Sequence, residues 1–278
     1  MDWYHGKKVL ITGGSKGIGR ALAVRLAASG AHVVVTARGQ TALDETVAAM
    51  RSVAAADAVL GSLSFDVSDR PAVQQACAEA LQTLGGLDVL ICNTGYAETG
   101  ITVEADPDSY ERMLRVNFLG HVNVVQAVAP HFVAQKSGDI CLVSSMLGFL
   151  GLYGYGAYAA SKFAIVGFAQ ALRQEMGLHG VRVGVFYPPT TKTPGLEKEN
   201  ESKPPEVWAL ESDSGWNKTY EADQVAARML TTIRKGTFEG VIGNDSRLIR
   251  GLARHLPGIT RYFADDDLRK AIKKVGGA

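Results

Sequence analysis

Tyr158 and Lys162 stand four apart in the run Tyr158-Ala159-Ala160-Ser161-Lys162. On a helix that spacing puts a phenol and an ammonium on one face. A phenol has an ordinary pKa of about 10, and a fixed cation beside it favours the ionised form. Such a pair can serve as an acid/base unit, or it can be an ordinary exposed pair on a helix. What the chain places around it decides between the two.

A second chemical signal lies near the N-terminus, in Gly13-Gly14-Ser15-Lys16-Gly17-Ile18-Gly19. The apolar run Val9–Thr12 before it reads as a buried parallel strand. Ala21, Leu22, Val24, Leu26 and Ala27 after it supply the apolar faces of a helix that ends at Gly30. His32–Ala37 reads as the next strand. Strand, glycine turn, helix and strand in about 30 residues are the context of a dinucleotide fingerprint. The glycines let the backbone approach a pyrophosphate, which sits at the positive end of the helix. The bland alternative is a tight turn.

The spacing Thr12-Gly13-x-x-x-Gly17-x-Gly19 resembles the glycine motif of the short-chain dehydrogenase/reductase family. Further along, Asn117 lies in Arg115-Val116-Asn117-Phe118, inside an expected helix Asp108–Val133. Asn is a poor helix former, so it is either a satisfied buried amide or a functional group. Ser145 closes an expected strand Asp139–Ser144 and precedes Tyr158 by thirteen residues. The resemblance implies that Asn117, Ser145, Tyr158 and Lys162 form the catalytic set. Tyr158 would be the general acid and Lys162 would lower its pKa and bind the nicotinamide ribose. Ser145 would hold the substrate oxygen and Asn117 a relay water. It also implies cofactor contacts from Gly13, Ser15, Lys16, Gly17, Ile18 and Gly19. Further contacts are implied at Asp66 and Val67 on the adenine, Asn93 and Gly95 after the fourth strand, and Pro188, Thr191 and Thr193 near the carboxamide. Two positions depart from the family's pattern. Cys92-Asn93-Thr94-Gly95 stands where Asn-Asn-Ala-Gly is common, and Pro189 follows Pro188 where glycine is usual.

The choice of cofactor is read from the end of the second strand. Nicotinamide sites that use NAD place an acid there, on the ribose hydroxyls. This chain has Arg38, with Lys16 nearby in the turn and no acid before Asp44. Two cations suit a 2′-phosphate, so NADPH/NADP+ is expected; solvated surface charges are the alternative.

These residues need strands and helices in alternation. Helices are expected at Gln40–Val53, Arg70–Leu84 (with Ser68 as N-cap), Tyr155–Gly177 and Ala222–Arg234. Strands are expected at Ala58–Phe65, Val89–Cys92, Arg182–Tyr187 and Phe238–Ile242. The fold class is therefore α/β: one Rossmann-like, doubly wound parallel sheet with helices on both faces. Residues 1–245 form the cofactor-binding and catalytic body. Within it, 194–218 is polar, carries Trp208 and Trp216, and reads as an irregular substrate lid. Residues 246–278 form a basic amphipathic extension.

Composition narrows the classes. The chain has 278 residues, 46% of them hydrophobic, and a net charge of +1. That is enough for one well-filled core and excludes a general nucleic-acid footprint. The extension holds eight Lys/Arg and three Asp, net +5, which leaves the body at −4. Its helical pattern suits either an anionic membrane surface or packing on the body or a partner subunit. Cys77, Cys92 and Cys141 have no paired spacing, the histidines have no metal-type spacing, and Met1-Asp2-Trp3-Tyr4-His5-Gly6 is no signal peptide. No run approaches a membrane span. A cytoplasmic protein is expected, or one peripheral on a membrane surface.

The apolar wall Phe149, Leu150, Leu152, Tyr153 and Tyr155 suits a lipid-like ketone. Its flanks, with Ser161-Lys162-Phe163-Ala164-Ile165 and Tyr187 to Gly195, resemble the branch of the family that reduces a long-chain sphingoid 3-ketone. Another ketoreductase, acting on 3-ketoacyl thioesters or hydroxysteroids, is the alternative. A non-catalytic NADPH sensor or scaffold is the alternative from another class. The family's habit of pairing its two long helices implies a homodimer or homotetramer.

Overall fold

The computed structural model describes residues 2–201, 203–213 and 218–276. Strand β1 (Lys8–Thr12), helix α1 (Gly17–Ala28), β2 (His32–Ala37), α2 (Gln40–Arg51) and β3 (Leu60–Ser64) form the first half. Next come α3 (Arg70–Leu84), β4 (Val89–Cys92), α4 (Pro107–Met113), a π-helical turn (Leu114–Leu119) and α5 (Gly120–Gln135). Then follow β5 (Gly138–Val143), α6 (Gly156–Gly177), β6 (Val181–Tyr187), β7 (Thr191–Lys192), α7 (Pro194–Asn200) and α8 (Pro205–Asp213). The chain finishes with β8 (Tyr220–Glu221), α9 (Ala222–Arg234), β9 (Glu239–Val241), α10 (Gly243–His255) and α11 (Pro257–Gly276).

Seven strands form one parallel sheet in the order β3-β2-β1-β4-β5-β6-β9. The strands are apolar on both faces, as a sheet covered on both sides requires. Leu10, Leu90, Ile140 and Leu142 pack under α3, α5 and α6. The alternate residues Val9, Ile11, Val89, Ile91 and Val143 pack under α1, α2 and α9. The winding reverses between β1 and β4, so a crevice opens beyond the carboxyl ends of those strands. The glycine turn, Asn93 and Ser145 all come from strand ends at that crevice.

Several expectations change. The long helix around Asn117 is two α-helices joined by a π turn, with Asn117 inside the turn. Asp69, not Ser68, caps α3, accepting from the Ala72 N–H at 3.2 Å. Ser68 instead donates its hydroxyl to Asp66 at 2.7 Å. The stretch 194–218 is not irregular: α7 and α8 occupy it, and β7 pairs with β8 across its ends. Thr193 caps α7 by accepting from the Leu196 N–H at 3.2 Å, with Pro194 in its first turn. Trp216 lies outside the described residues.

Residues of the expected extension fall in α10, which starts earlier, at Gly243, and in α11, with Leu256 between the two helices. The extension folds back on the body. Ala271 of α11 packs on Ala209 and Leu210 of α8. Arg250 and Arg254 of α10 both pair with Glu239, at 2.6 and 2.9 Å. Among the described residues, no helix is long and apolar enough to cross a membrane.

Candidate active site

At the head of α1 the turn is held by its own backbone. The Gly14 N–H donates to Thr36 O at 2.9 Å, which ties the turn to β2. A Cβ at Gly19 would lie 2.1 Å from the Gly13 carbonyl, so only glycine fits there. Asn93 donates its side-chain amide to Thr12 O and Gly13 O at 3.2 and 3.1 Å, bracing the turn from β4. Thr12 Oγ1 accepts from the Asn93 and Thr94 N–H groups at 3.0 and 3.2 Å.

Arg38 stands at the end of β2 with its side chain 78% exposed and its guanidinium 3.8 Å from Asp66. Asp66 is further occupied by the Ser68 N–H and hydroxyl. Lys16, just before α1, is exposed beside the same crevice.

Helix α6 carries Tyr158 and Lys162, as their spacing requires. Lys162 is buried, donates to Val143 O at 3.1 Å, and lies 5.6 Å from the centre of the Tyr158 ring. Burial pulls its pKa down to about 7. Ser145 lines the cavity beside Tyr158 and draws the phenol's pKa down, and its Oγ accepts from the Leu147 N–H at 3.1 Å. Burial pushes the Tyr158 phenol up to about 12, against the opposing pull of Ser145 and with help from Glu199. In the free chain desolvation dominates both groups, and each is driven toward its neutral form.

Asn117 is fully buried behind the pair. Its Oδ1 accepts from the Tyr96 N–H at 3.0 Å, and its amide donates to Tyr96 O and Ser161 Oγ, both at 2.9 Å. The side chain is therefore a satisfied amide that fixes the strand-end segment against α6. A Cβ at Gly95, in that segment, would come within 3.0 Å of Lys162 Nζ.

Among the expected site residues, all except Gly19 and Asn117 line one cavity of about 810 Å³. It runs from Arg38 and Asp66 past the glycine turn to Ser145, Tyr158 and Lys162. Backbone turn, cations and a buried acid/base pair in one continuous space are the donor set a dinucleotide needs.

A sequence profile described as short chain dehydrogenase matches residues 7–204. The chain belongs to the short-chain dehydrogenase family. A nicotinamide cofactor and oxidoreductase chemistry follow from that membership, and the residues lining the cavity fit such a cofactor. Among characterised relatives, the chain is 34% identical to 3-ketodihydrosphingosine reductase of Bos taurus, over 92% of this chain and 76% of that one. It is 39% identical to 3-dehydrosphinganine reductase TSC10A of Arabidopsis thaliana, over 84% and 69%. Levodione reductase superposes with a TM-score of 0.79 at 24% identity, over 90% of this chain and 99% of that one; this likeness concerns the fold.

Other members of the site were not legible as such in the sequence of this short-chain dehydrogenase. Ser144 donates its hydroxyl to Lys162 O at 2.9 Å, anchoring the turn that carries the lysine. His121, one helical turn after Asn117, is buried with Nε2 2.9 Å from Thr94 O, and burial takes its pKa down to about 3. The neutral ring donates from Nε2 to that carbonyl. The outer part of the cavity is walled by α7, α8, α10 and α11, through Leu196, Glu199, Leu210, Ile249, Leu252 and Phe263. A periodic pattern marked α10 and α11 as amphipathic; nothing in it said that they face the site.

Proposed function

We propose that this short-chain dehydrogenase reduces the 3-ketone of 3-dehydrosphinganine to sphinganine with NADPH, a step of sphingoid-base synthesis. The observation that carries the reading is the make-up of one cavity. It joins a phenol beside Ser145, a buried lysine and an outer wall of apolar helix faces. The names of the relatives, which match most of the chain, supply the ketone. When bound, the nicotinamide supplies the hydride.

The chain's own groups handle the proton and the charge. Tyr158, held as a phenol by burial, gives its proton to the ketone oxygen. Ser145 donates to the same oxygen as negative charge develops. Lys162, with a pKa of about 7, is suited to pass a proton back toward Tyr158 at neutral pH. It also reaches the ribose side of the cavity. Asn117 positions Gly95–Tyr96 and the start of the Lys162 turn through Ser161. Arg38 and Lys16 favour the 2′-phosphate of NADPH.

The test is an NADPH-oxidation assay with 3-dehydrosphinganine, run beside an acetoacetyl thioester and with NADH in place of NADPH. Turnover of the sphingoid ketone, with NADPH preferred, is expected. Turnover confined to the thioester would refute the substrate assignment, and equal use of both nucleotides would refute the cofactor assignment.

The extension supports a peripheral membrane contact. Leu256, Ile259, Tyr262 and Phe263 are exposed along one edge of α10 and α11, and Phe263 also borders the cavity. That edge would lie in the interface of a bilayer and admit a lipid ketone. Because α10 and α11 wall the site, their removal would damage it. The appropriate variant is the pair Ile259→Glu and Tyr262→Glu, which is expected to abolish co-sedimentation with anionic vesicles. Residues 194–213 would act as the lid. Exposed Leu119 and Phe163, on the π turn and α6, support a homodimer or homotetramer through the long helices, to be read by sedimentation.

A further inference from the structure

Beside the catalytic pair lies a cluster that the reduction itself does not use. Tyr155, at the N-cap of α6 and three residues before Tyr158, has its ring centre 6.2 Å from that of Tyr158. Its hydroxyl donates to Glu199 Oε1 at 2.6 Å and is also in contact with Glu211. Lys203, with its side chain 0% exposed, pairs with Glu199 at 3.1 Å and with Glu211 at 2.7 Å. One lysine and one phenol thus meet two carboxylates, one acidic side chain more than basic. Tyr155, Glu199 and Glu211 all line the cavity that holds Tyr158. Both partners of Glu199 sit on the same oxygen, Oε1.

An excess negative charge in an apolar wall is costly unless something offsets it. A latch holding α7 and α8 onto α6 would need only one carboxylate for the lysine. Glu199 accepts from the Tyr155 hydroxyl, and the Tyr155 ring centre is 6.2 Å from that of Tyr158, so the carboxylate stands in the same wall as the phenol. The proposed substrate carries an amine on the carbon next to its ketone. Seated with that ketone on Tyr158 and Ser145, it brings an ammonium into the same wall. Unpaired, that ammonium would cost several kcal/mol to bury.

We infer that Glu199, with Glu211 holding Lys203, is the subsite that binds the 2-ammonium group of an amino ketone and so selects sphingoid ketones over ketones without the amine. The inference rests on the sphingoid reading above and adds the residue that would read the amine. Tyr155 contributes an aromatic face beside the same charge. Glu211 shares Lys203 with Glu199, so the one lysine offsets only one of the two carboxylates.

The experiment compares 3-dehydrosphinganine with 1-hydroxyoctadecan-3-one, its counterpart without the amine, in the wild-type chain and in Glu199→Gln. The readout is the ratio of kcat/KM for the two ketones. The wild-type ratio is expected to favour the amino ketone, and the variant to lower that ratio at least tenfold. A latch without a binding role would lower both rates together and leave the ratio fixed, which overturns the inference. Should Glu199→Gln not fold, Glu211→Gln gives the same reading: Lys203 then neutralises Glu199, and the ratio again falls. A wild-type chain that turns over the ketone without the amine as well as the amino ketone also overturns it, while leaving the reductase reading intact. No turnover of 3-dehydrosphinganine by the wild-type chain refutes the sphingoid reading itself, and this inference with it.

Discussion

Lys162 is held in the folded chain at a stability cost that can be measured. Its pKa falls from an ordinary 10.5 to about 7 because the ammonium is buried. A group whose folded pKa is depressed in this way binds its proton more readily when unfolded. For a lysine the resulting penalty is nil above about pH 10.5, grows as the pH falls, and is complete below about pH 7. At about 1.4 kcal/mol per pH unit the full penalty is about 5 kcal/mol, and at about pH 9 it is only about 2 kcal/mol. Lys162→Met removes the ionisable group and keeps most of the volume. It also strips Val143 O of its donor, at a cost of about 1–3 kcal/mol. The variant should therefore be more stable than the parent by about 2 kcal/mol or more at about pH 6. That corresponds to a rise of several degrees in Tm for a chain of this size. Packing changes are the same at both pH values, so the comparison between them isolates the charge. The gain at about pH 6 should exceed that at about pH 9 by about 3 kcal/mol. Thermal or urea unfolding of the two proteins at the two pH values measures it. A difference that is flat with pH, or larger on the alkaline side, would refute the buried-ammonium argument. The same variant should lose turnover, since the lysine's cost is retained for chemistry.

Tyr158→Phe removes the general acid and should lower kcat by about 100-fold or more while cofactor binding, followed by nucleotide fluorescence, persists; near-normal turnover would refute its role. Arg38→Ala removes a cation beside the expected 2′-phosphate and should lower the kcat/KM preference for NADPH over NADH by about tenfold or more. An unchanged preference would assign the exposed guanidinium to the surface instead. Gly19→Ala puts a methyl 2.1 Å from the Gly13 carbonyl, which is backbone and cannot yield, and 2.7 Å from the Asn93 side-chain amide that braces the turn. It should weaken nucleotide binding strongly and lower Tm, and wild-type affinity would show that the turn is softer than its contacts imply.

The parts of the site that were legible are those encoded by local spacing. Tyr158 and Lys162 share a helix, so their separation fixes their geometry wherever that helix lies. The glycine turn is bounded by its own strand and helix. The stretch 194–218 was misread for a different reason. Its helices are short, and no long apolar period announces them. Thr193-Pro194 was nonetheless a usable start signal, a capping hydroxyl followed by a proline. The π turn at Asn117 left only an ill-suited residue in an otherwise helical pattern, which told that something was different but not what. Lys203 pairs with Glu199 four residues before it and with Glu211 eight residues after it, but both carboxylates meet the Tyr155 hydroxyl only because α7 and α8 fold together beside α6. Desolvation, which pushes the Tyr158 phenol up in the free chain, is a property of the assembled core and has no trace in the spacing of two residues.

The order of charges along the cavity gives these pieces a common direction. Arg38 and Lys16 stand at one end, beside an Asp66 already held by Ser68 and Arg38. Lys162 lies in the middle with its charge weakened by burial. Glu199 and Glu211 lie at the other side, sharing the buried Lys203, and apolar faces of α10 and α11 close the wall. An anionic phosphate is favoured only at the first end and an ammonium only near the second, while a hydrocarbon chain is favoured only beneath the last two helices. A cofactor with its phosphate at the first end, and an amino ketone with its ammonium near the second and its chain beneath the last helices, must therefore each lie in one orientation. Together those orientations put the ketone at Tyr158. In such a cavity substrate selection needs no contact with the reacting carbon, because the remote charges and the apolar wall already decide which carbon arrives there.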